Sequence, residues 1–178
     1  MKRISLALAA LALSYPAASQ ASDRGWDRAS SIGRDALVAA SIGIPAAQGD
    51  WHGDVEAVES MAVAGGTTFA LKELIHERRP DDSDNKSFPS GHTSIAFAAA
   101  ANLEKRYGWQ AGVPALLVAS FVGVARVEAD KHYVHDVLAG AAIGTLSGML
   151  LTSRHDDGVQ LTPWAAHHGG GLSLAARF

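Results

Sequence analysis

The stretch Phe88–Asn102, FPSGHTSIAFAAAAN, opens with residues that break helices and continues with residues that let helices pack closely. Proline, serine and glycine are poor helix formers, and histidine titrates near neutral pH. The alanine run that follows has small side chains, so the backbones of neighbouring helices can approach it closely. We therefore predict a helix from about Thr93 to Arg106, with a polar segment at its N-terminus that forms part of a functional site.

The segments on either side of this stretch predict four further helices. They run from Arg28 to Ala47, from Val55 to His76, from Val113 to Val127 with Pro114 in the first turn, and from Tyr133 to Thr152. Glycines at Gly140, Gly144 and Gly148 are small enough for the last helix to pack against the alanine run. We predict an all-α, antiparallel bundle of about five helices, followed in residues 154–178 by a tail with a small β-hairpin.

Composition limits the classes of protein that the chain can represent. The chain has 178 residues, of which 48% are hydrophobic and 19% charged, and its net charge is −3. This length supports one domain with a core, and the charge gives no reason to expect a nucleic-acid partner. Cysteine is absent, which excludes disulfides, a thiol nucleophile and a thiolate metal site.

The N-terminus predicts export. A basic start, Met1–Arg3, precedes an apolar run from Ile4 to Leu13 and a small-residue segment that ends in Ser19-Gln-Ala21. This pattern is typical of a secretory signal peptide, so we predict a signal peptide in residues 1–21 and a helical domain in residues 22–153. An uncleaved anchor helix is the alternative. We expect a protein of the bacterial envelope, periplasmic or associated with the inner membrane, with its functional site on the periplasmic side.

Polar clusters flank the connections between helices two and three and between helices four and five. Short connections make these helices antiparallel, so the four clusters meet at one end of the bundle. The clusters contain Lys72, Arg79, Ser90, Gly91, His92, Arg126, His132 and Asp136. The sequence thus predicts one site built from distant parts of the chain.

The cations and the helix mouth in this set indicate phosphate binding. Arg79 and Arg126 carry planar guanidinium groups that match phosphate oxygens, and Lys72 adds a compact charge. Ser90 and Gly91 stand where a helix begins, and free backbone N–H groups and the helix dipole attract an anion there.

The two histidines indicate phosphoryl transfer. His132 and Asp136 lie one helical turn apart, so the carboxylate can fix the tautomer of an imidazole that attacks phosphorus. His92 can then protonate the leaving oxygen as a general acid. A metal site formed by His132, His135 and Asp136 is an alternative, although the sequence indicates no further ligand. We expect neither a metal nor a cofactor.

Three separated motifs carry a resemblance to a known family. They are Lys72, six residues and Arg79-Pro80, then Pro89-Ser-Gly-His92, then Arg126, five residues, His132, three residues and Asp136. This order and spacing resemble the signature of the type 2 phosphatidic acid phosphatase superfamily, which includes class A acid phosphatases and vanadium haloperoxidases. The resemblance covers about Gly49 to Ser153.

The resemblance implies roles that agree with those derived from the residues. It implies a phosphohistidine on His132, orientation by Asp136, a general acid at His92 and no metal requirement. It also implies that Lys72, Arg79, Ser90, Gly91 and Arg126 hold the phosphate. The family usually has serine before the last arginine, where this chain has Ala125, so fine tuning of activity is in doubt.

The expected function is a metal-independent phosphatase acting on phosphomonoesters or diphosphates. By family analogy, lipid phosphates such as phosphatidate or an isoprenoid diphosphate come first, and small soluble phosphoesters come second. We expect membrane contact and leave the oligomeric state open. The alternatives are a vanadium haloperoxidase, which the short chain disfavours, and an envelope protein that binds a phospholipid without catalysis.

Overall fold

The computed structural model describes the backbone of residues 2–155, 160–166 and 169–175 and the side chains of residues 22–155. The helices are α1 (Lys2–Gln48), α2 (Trp51–Leu74), α3 (Gly91–Tyr107), α4 (Trp109–Glu128) and α5 (Val134–Leu151), and the strands are β1 (Gln160–Ala166) and β2 (Gly169–Ala175). The predicted all-α bundle of five helices is confirmed. At the C-terminus, β1 and β2 pair in antiparallel register, and the residues that join them lie outside the described part of the chain.

Helix α3 is the centre of the bundle, and it packs against the four other helices. Its alanines at positions 96 and 98–101 are almost completely buried. Helix α5 approaches so closely that a Cβ atom on Gly144 would lie 2.2 Å from the carbonyl oxygen of Ser94. A Cβ atom on Gly140 would lie 2.6 Å from the carbonyl oxygen of Ser90. The close packing predicted from the alanine and glycine pattern is therefore present.

The boundary between α3 and α4 differs from the prediction. Helix α4 begins at Trp109 rather than Val113, so Pro114 lies beyond the first turn and removes one backbone hydrogen bond there. The reason is Gly108, which adopts φ = +83° and is both the C-cap residue of α3 and the N-cap residue of α4. Glycine tolerates this conformation without steric cost, so one residue reverses the chain.

A buried ion network holds the end of the bundle that lies away from the predicted site. Arg106, at the end of α3, donates to Glu56 (2.7 Å) and pairs with Asp50 in front of α2. His155 joins the network through Asp50, with 3.1 Å between Nδ1 and Oδ2. These contacts fix α2 and the segment after α5 to the end of α3.

The outer faces of α4 and α5 are apolar and exposed. Both helices are long and apolar enough to cross a membrane by length and composition. Large hydrophobic side chains on these faces are exposed, namely Leu117, Phe121, Val124, Val134, Leu138, Leu146 and Leu150. Extended apolar surface of this kind is unusual for a protein surrounded only by water.

Candidate active site

Backbone hydrogen bonds bring the motif segments to one end of the bundle. The carbonyl oxygen of Arg126, near the end of α4, accepts the amides of Lys131 and His132, each at 3.2 Å. The amide of Ser90, in front of α3, donates to the carbonyl oxygen of Asp136 in α5 at 3.0 Å. Main-chain hydrogen bonds thus connect the N-termini of α3 and α5 and the C-terminal end of α4.

His132 has the geometry of a nucleophile. Its Nδ1 lies 3.3 Å from Oδ2 of Asp136, and its Nε2 lies 3.2 Å from Nη1 of Arg79. Because a guanidinium can only donate, Nε2 carries the lone pair and Nδ1 carries the hydrogen. Burial, Arg79 and Arg126 lower the pKa of His132 to about 2, so the ring is neutral at neutral pH.

Asp136 is held by more partners than the sequence indicates. The residue is completely buried, and Oδ2 also accepts the amide of Tyr133 at 3.0 Å and the hydroxyl of Ser87 at 2.5 Å. Sequence analysis missed Ser87, which stands directly before Phe88 and, in a polar loop, resembles an ordinary turn residue. Its hydroxyl fixes the carboxylate that orients His132.

Arg79 and Lys72 are positioned by the loop between α2 and α3. Nε of Arg79 pairs with Asp84 at 2.8 Å, and Nη1 also donates to the carbonyl oxygen of Lys131 at 3.0 Å. The ammonium group of Lys72 donates to the carbonyl oxygen of Ser87 at 3.0 Å. Burial and the neighbouring Arg79 lower the pKa of Lys72 to about 8, so it stays largely charged at neutral pH.

Arg126 is buried and only partly satisfied. Its Nη1 pairs with the carboxylate of Asp27 and lies 3.2 Å from Oγ of Ser30, both on α1. Its Nε is buried without a hydrogen-bond partner within the described residues. A buried charged donor without a partner is costly, and a phosphate oxygen would satisfy it.

The mouth of α3 differs from the prediction in one respect. The amide of Ser90 is not free, because it donates to Asp136, and the Ser90 hydroxyl pairs with that of Thr93 at 2.9 Å. Only the amides from Gly91 onward remain as unpaired donors of the first helical turn. Ser90 is completely buried and stands at the N-cap position of α3, where its side chain makes no capping hydrogen bond.

His92 contacts α1, which sequence analysis did not connect to the site. Its Nε2 lies 3.1 Å from Oγ of Ser31 and 3.0 Å from Nη1 of Arg34. Burial, Arg126 and Arg34 lower the pKa of His92 to about 4. The only sequence signal was spacing, since Asp27, Ser31 and Arg34 recur every three to four residues and therefore share one helical face.

The side chains that could hold a metal ion are not the expected set of His132, His135 and Asp136. Glu77, His135 and Asp136 bring three ligand atoms within 4.8 Å of one another, whereas His132 is not part of this group. Nε2 of His135 lies 2.8 Å from Glu77 and 3.2 Å from Oδ1 of Asp136. Three ligands, one on a largely exposed histidine, are fewer than the four of a closed zinc site.

The fold and this arrangement define a class of helical proteins that gather cations, a carboxylate-backed histidine and a second histidine at one end of the bundle. The chain belongs to the PAP2 superfamily, whose family profile matches residues 55–158. The resemblance of the three motifs is therefore confirmed. Helix α1 lies outside the matched region.

Two of the relatives are lipid A phosphatases of other bacteria. The chain is 42% identical over 93 residues to a lipid A 1-phosphatase of Porphyromonas gingivalis, which covers 51% of this chain and 21% of the relative. It is 30% identical over 117 residues to a lipid A 4′-phosphatase of Helicobacter pylori, covering 60% of this chain and 59% of the relative. The chain thus spans from about a fifth to about three fifths of the length of these relatives.

Two solved structures share the fold. The crystal structure of Aquifex aeolicus LpxE matches with a TM-score of 0.62 and 22% identity, covering 72% of this chain and 84% of that one. A transmembrane PAP2-type phosphatidylglycerolphosphate phosphatase from Bacillus subtilis matches with a TM-score of 0.51 and 24% identity, covering 83% and 92%.

Proposed function

We propose that the protein is a metal-independent lipid phosphate phosphatase that acts through a phosphohistidine on His132. The observation that carries this proposal is the tautomer of His132. Its Nδ1 faces the buried carboxylate of Asp136, and its Nε2 lone pair points toward Arg79 in the cationic site. An imidazole held in this way is an activated nucleophile next to an anion site.

In the first half-reaction, the phosphoryl group binds between Lys72, Arg79, Arg126 and the free amides at the mouth of α3. These donors neutralise the charge on the equatorial oxygens, which is most of what phosphoryl transfer requires. Nε2 of His132 forms a bond to phosphorus as the bond to the ester oxygen breaks. His92 donates a proton to that oxygen, and Asp136 stabilises the positive charge on the phosphorylated imidazole.

In the second half-reaction, water replaces the alcohol. His92, now neutral, accepts a proton from the water as its oxygen attacks phosphorus. The bond between phosphorus and Nε2 of His132 breaks, which releases inorganic phosphate and restores both histidines. No other reactant is needed.

An apolar groove supports a lipid as substrate. A cavity of about 430 Å³ lies between α4 and α5, and it includes Val127 and Val134 at the ends of the helices that frame the site. Phe97, Val124, Val137 and Leu138 continue its apolar lining away from the site. A hydrocarbon chain in this groove would leave its phosphate near Arg126 and His132, and the names of the relatives point the same way.

The proposed location follows from the exposed apolar faces of α4 and α5, which suit lipid contact. We propose that residues 1–21 direct export and that the site faces the periplasm. Fractionation of cells, with a carbonate wash of the membranes, tests the membrane association. Retention of the protein in the washed membranes would support integration of α4 and α5.

The chemistry is tested by phosphate release from the purified protein. The panel contains phosphatidate, an isoprenoid diphosphate, a nucleotide and p-nitrophenyl phosphate, each assayed with and without EDTA. We expect release that EDTA does not affect, that vanadate inhibits and that His132→Ala abolishes. Full activity of a folded His132→Ala protein would contradict the nucleophile. Bromide oxidation with vanadate and peroxide would favour a haloperoxidase instead.

The lipid specificity is tested by filling the groove. Val124→Trp places a large ring in the groove, whereas Leu117→Trp places the same ring on an exposed position of α4 outside it. We expect Val124→Trp to raise KM for phosphatidate while the hydrolysis of p-nitrophenyl phosphate stays unchanged. Leu117→Trp should change neither. Equal effects of Val124→Trp on both substrates would argue against a lipid-binding groove.

A further inference from the structure

Helix α1 reaches two groups of the site although it carries none of the three motifs. Arg34 contacts His92, and Asp27 pairs with Arg126. The two α1 residues lie seven positions apart on the same helical face, with Ser31 between them. A helix that touches both the general acid and a phosphate-binding arginine takes part in the site.

The orientation of Arg34 is set by its own neighbour. Nε and Nη2 of Arg34 both bind Oδ1 of Asp35, at 2.8 Å and 2.7 Å. This pairing occupies two positions of the planar guanidinium and leaves Nη1 facing Nε2 of His92 at 3.0 Å. Two donors that share one acceptor oxygen limit the rotation of the guanidinium.

The contact determines the state of the His92 ring. A guanidinium donates and never accepts, so Nε2 of His92 must carry its lone pair toward Arg34. The hydroxyl of Ser31 also lies near Nε2, at 3.1 Å, and it has the carbonyl oxygen of Asp27 as an acceptor at 3.1 Å. In the site without substrate, Nε2 is therefore unprotonated, although a general acid must carry a proton.

We propose that Arg34 is a positioning residue for His92, which it holds with an unprotonated Nε2 until a phosphoester binds. The inference rests on the proposed phosphatase function. The anionic phosphoryl group attracts the Arg34 guanidinium, which releases Nε2. Nε2 then takes up a proton from bulk solvent and donates it to the leaving oxygen. Binding of the substrate thus leads to protonation of the general acid His92. The second half-reaction returns a proton to Nε2, and this proton goes back to solvent when phosphate leaves and Arg34 contacts Nε2 again.

Charges from several elements face His92. They are Arg34, Asp27 and Asp35 on α1, Arg126 on α4, and His132 before α5. The two arginines disfavour the protonated ring, and the two carboxylates favour it. Arg126 lowers the pKa of His92 more than Arg34 does, but Arg34 is the cation in hydrogen-bond contact with Nε2.

The first test measures protonation without catalysis. The side-chain pKa of His92 is followed by NMR in full-length protein labelled with ¹⁵N-histidine, with His92→Gln for assignment, before and after addition of inorganic phosphate. In Arg34→Gln we expect a pKa about one unit higher or more in the phosphate-free protein, and a smaller rise on phosphate binding. Arg34→Lys keeps the charge and should give an intermediate value. Arg28→Gln removes an exposed cation of α1 and should match the wild type.

The second test uses the leaving group. The alkoxide of phosphatidate needs protonation, whereas p-nitrophenolate leaves without it, so loss of an oriented acid affects the first ester selectively. We expect Arg34→Gln to lower kcat for phosphatidate about tenfold or more, and to lower kcat for p-nitrophenyl phosphate far less. Equal losses, or an unchanged His92 pKa, would overturn the inference. If the wild type hydrolyses neither ester, the proposed function fails, and the NMR arm still decides the role of Arg34.

Discussion

Substitution of Gly140 by alanine would press α5 against the mouth of α3. An added Cβ would lie 2.6 Å from the carbonyl oxygen of Ser90 and 3.3 Å from the amide nitrogen of Ser94. Ordinary contacts begin at 3.4 Å, so the two backbones must separate by about 0.8 Å at Ser90. Neither atom belongs to a flexible side chain that could move aside.

This separation acts directly on the site because Ser90 also donates its amide to Asp136. The shift moves His92 away from His132, and a misplacement of about 1 Å can lower a rate about 100-fold. Overpacking of a tight contact also costs about 1–3 kcal/mol of stability. We expect Gly140→Ala to lower kcat/KM for phosphate release by about two orders of magnitude.

The assay separates this effect from simple loss of fold. Phosphate release is measured below the onset of thermal unfolding of both proteins, and thermal unfolding is recorded in parallel. Gly66→Ala is the matched control, because a Cβ there meets nothing within 4 Å. It should keep full activity and gain about 0.5–1 kcal/mol in helix stability. Wild-type activity and stability in Gly140→Ala would refute the claim that the contact between α3 and α5 sets the geometry of the site.

Two further predictions concern charge. Inorganic phosphate should inhibit less strongly as pH rises through about 8, because burial and Arg79 lower the pKa of Lys72 to about 8 and the ammonium then loses its proton. The inhibition constant should rise about tenfold by pH 9 to 9.5, whereas in Lys72→Arg it should stay flat; a flat wild-type profile would contradict the role of Lys72. Arg106→Ala should cost about 3–5 kcal/mol in unfolding experiments, because the buried carboxylate of Glu56 and the partly buried carboxylate of Asp50 lose the guanidinium that neutralises them. Unchanged stability would show that the ion network does not hold that end of the bundle.

The fold could be predicted because its signals are local. Small residues at helical spacing marked the contact between α3 and α5, and loops marked most of the other boundaries. The start of α4 was missed because Gly108 reverses the chain in one residue, without the loop that a sequence pattern normally shows.

The site could be predicted only as far as its motifs reach. His132 contacts both Asp136, one turn further along the chain, and Arg79, in the loop after α2. Arg34 and Ser87 carry no such spacing, and their partners lie 58 and 49 positions away in the chain. Contacts of this kind arise from tertiary packing, which one sequence does not reveal.

Main-chain hydrogen bonds join the N-terminus of α3, the C-terminal end of α4 and the N-terminus of α5, and these bonds bear on how a ligand could enter and leave the site. These three elements cannot separate without breaking backbone hydrogen bonds, so they form a fixed floor for the candidate site. The loop after α2 is also joined to this floor by a main-chain bond, from the amide of Asp81 to the carbonyl oxygen of Asp130. The contacts of α1 with His92 and Arg126 are made by side chains. In the proposed phosphatase, entry of the ester and departure of inorganic phosphate therefore fall to the side formed by α1, and turnover limited by product release would respond to changes there.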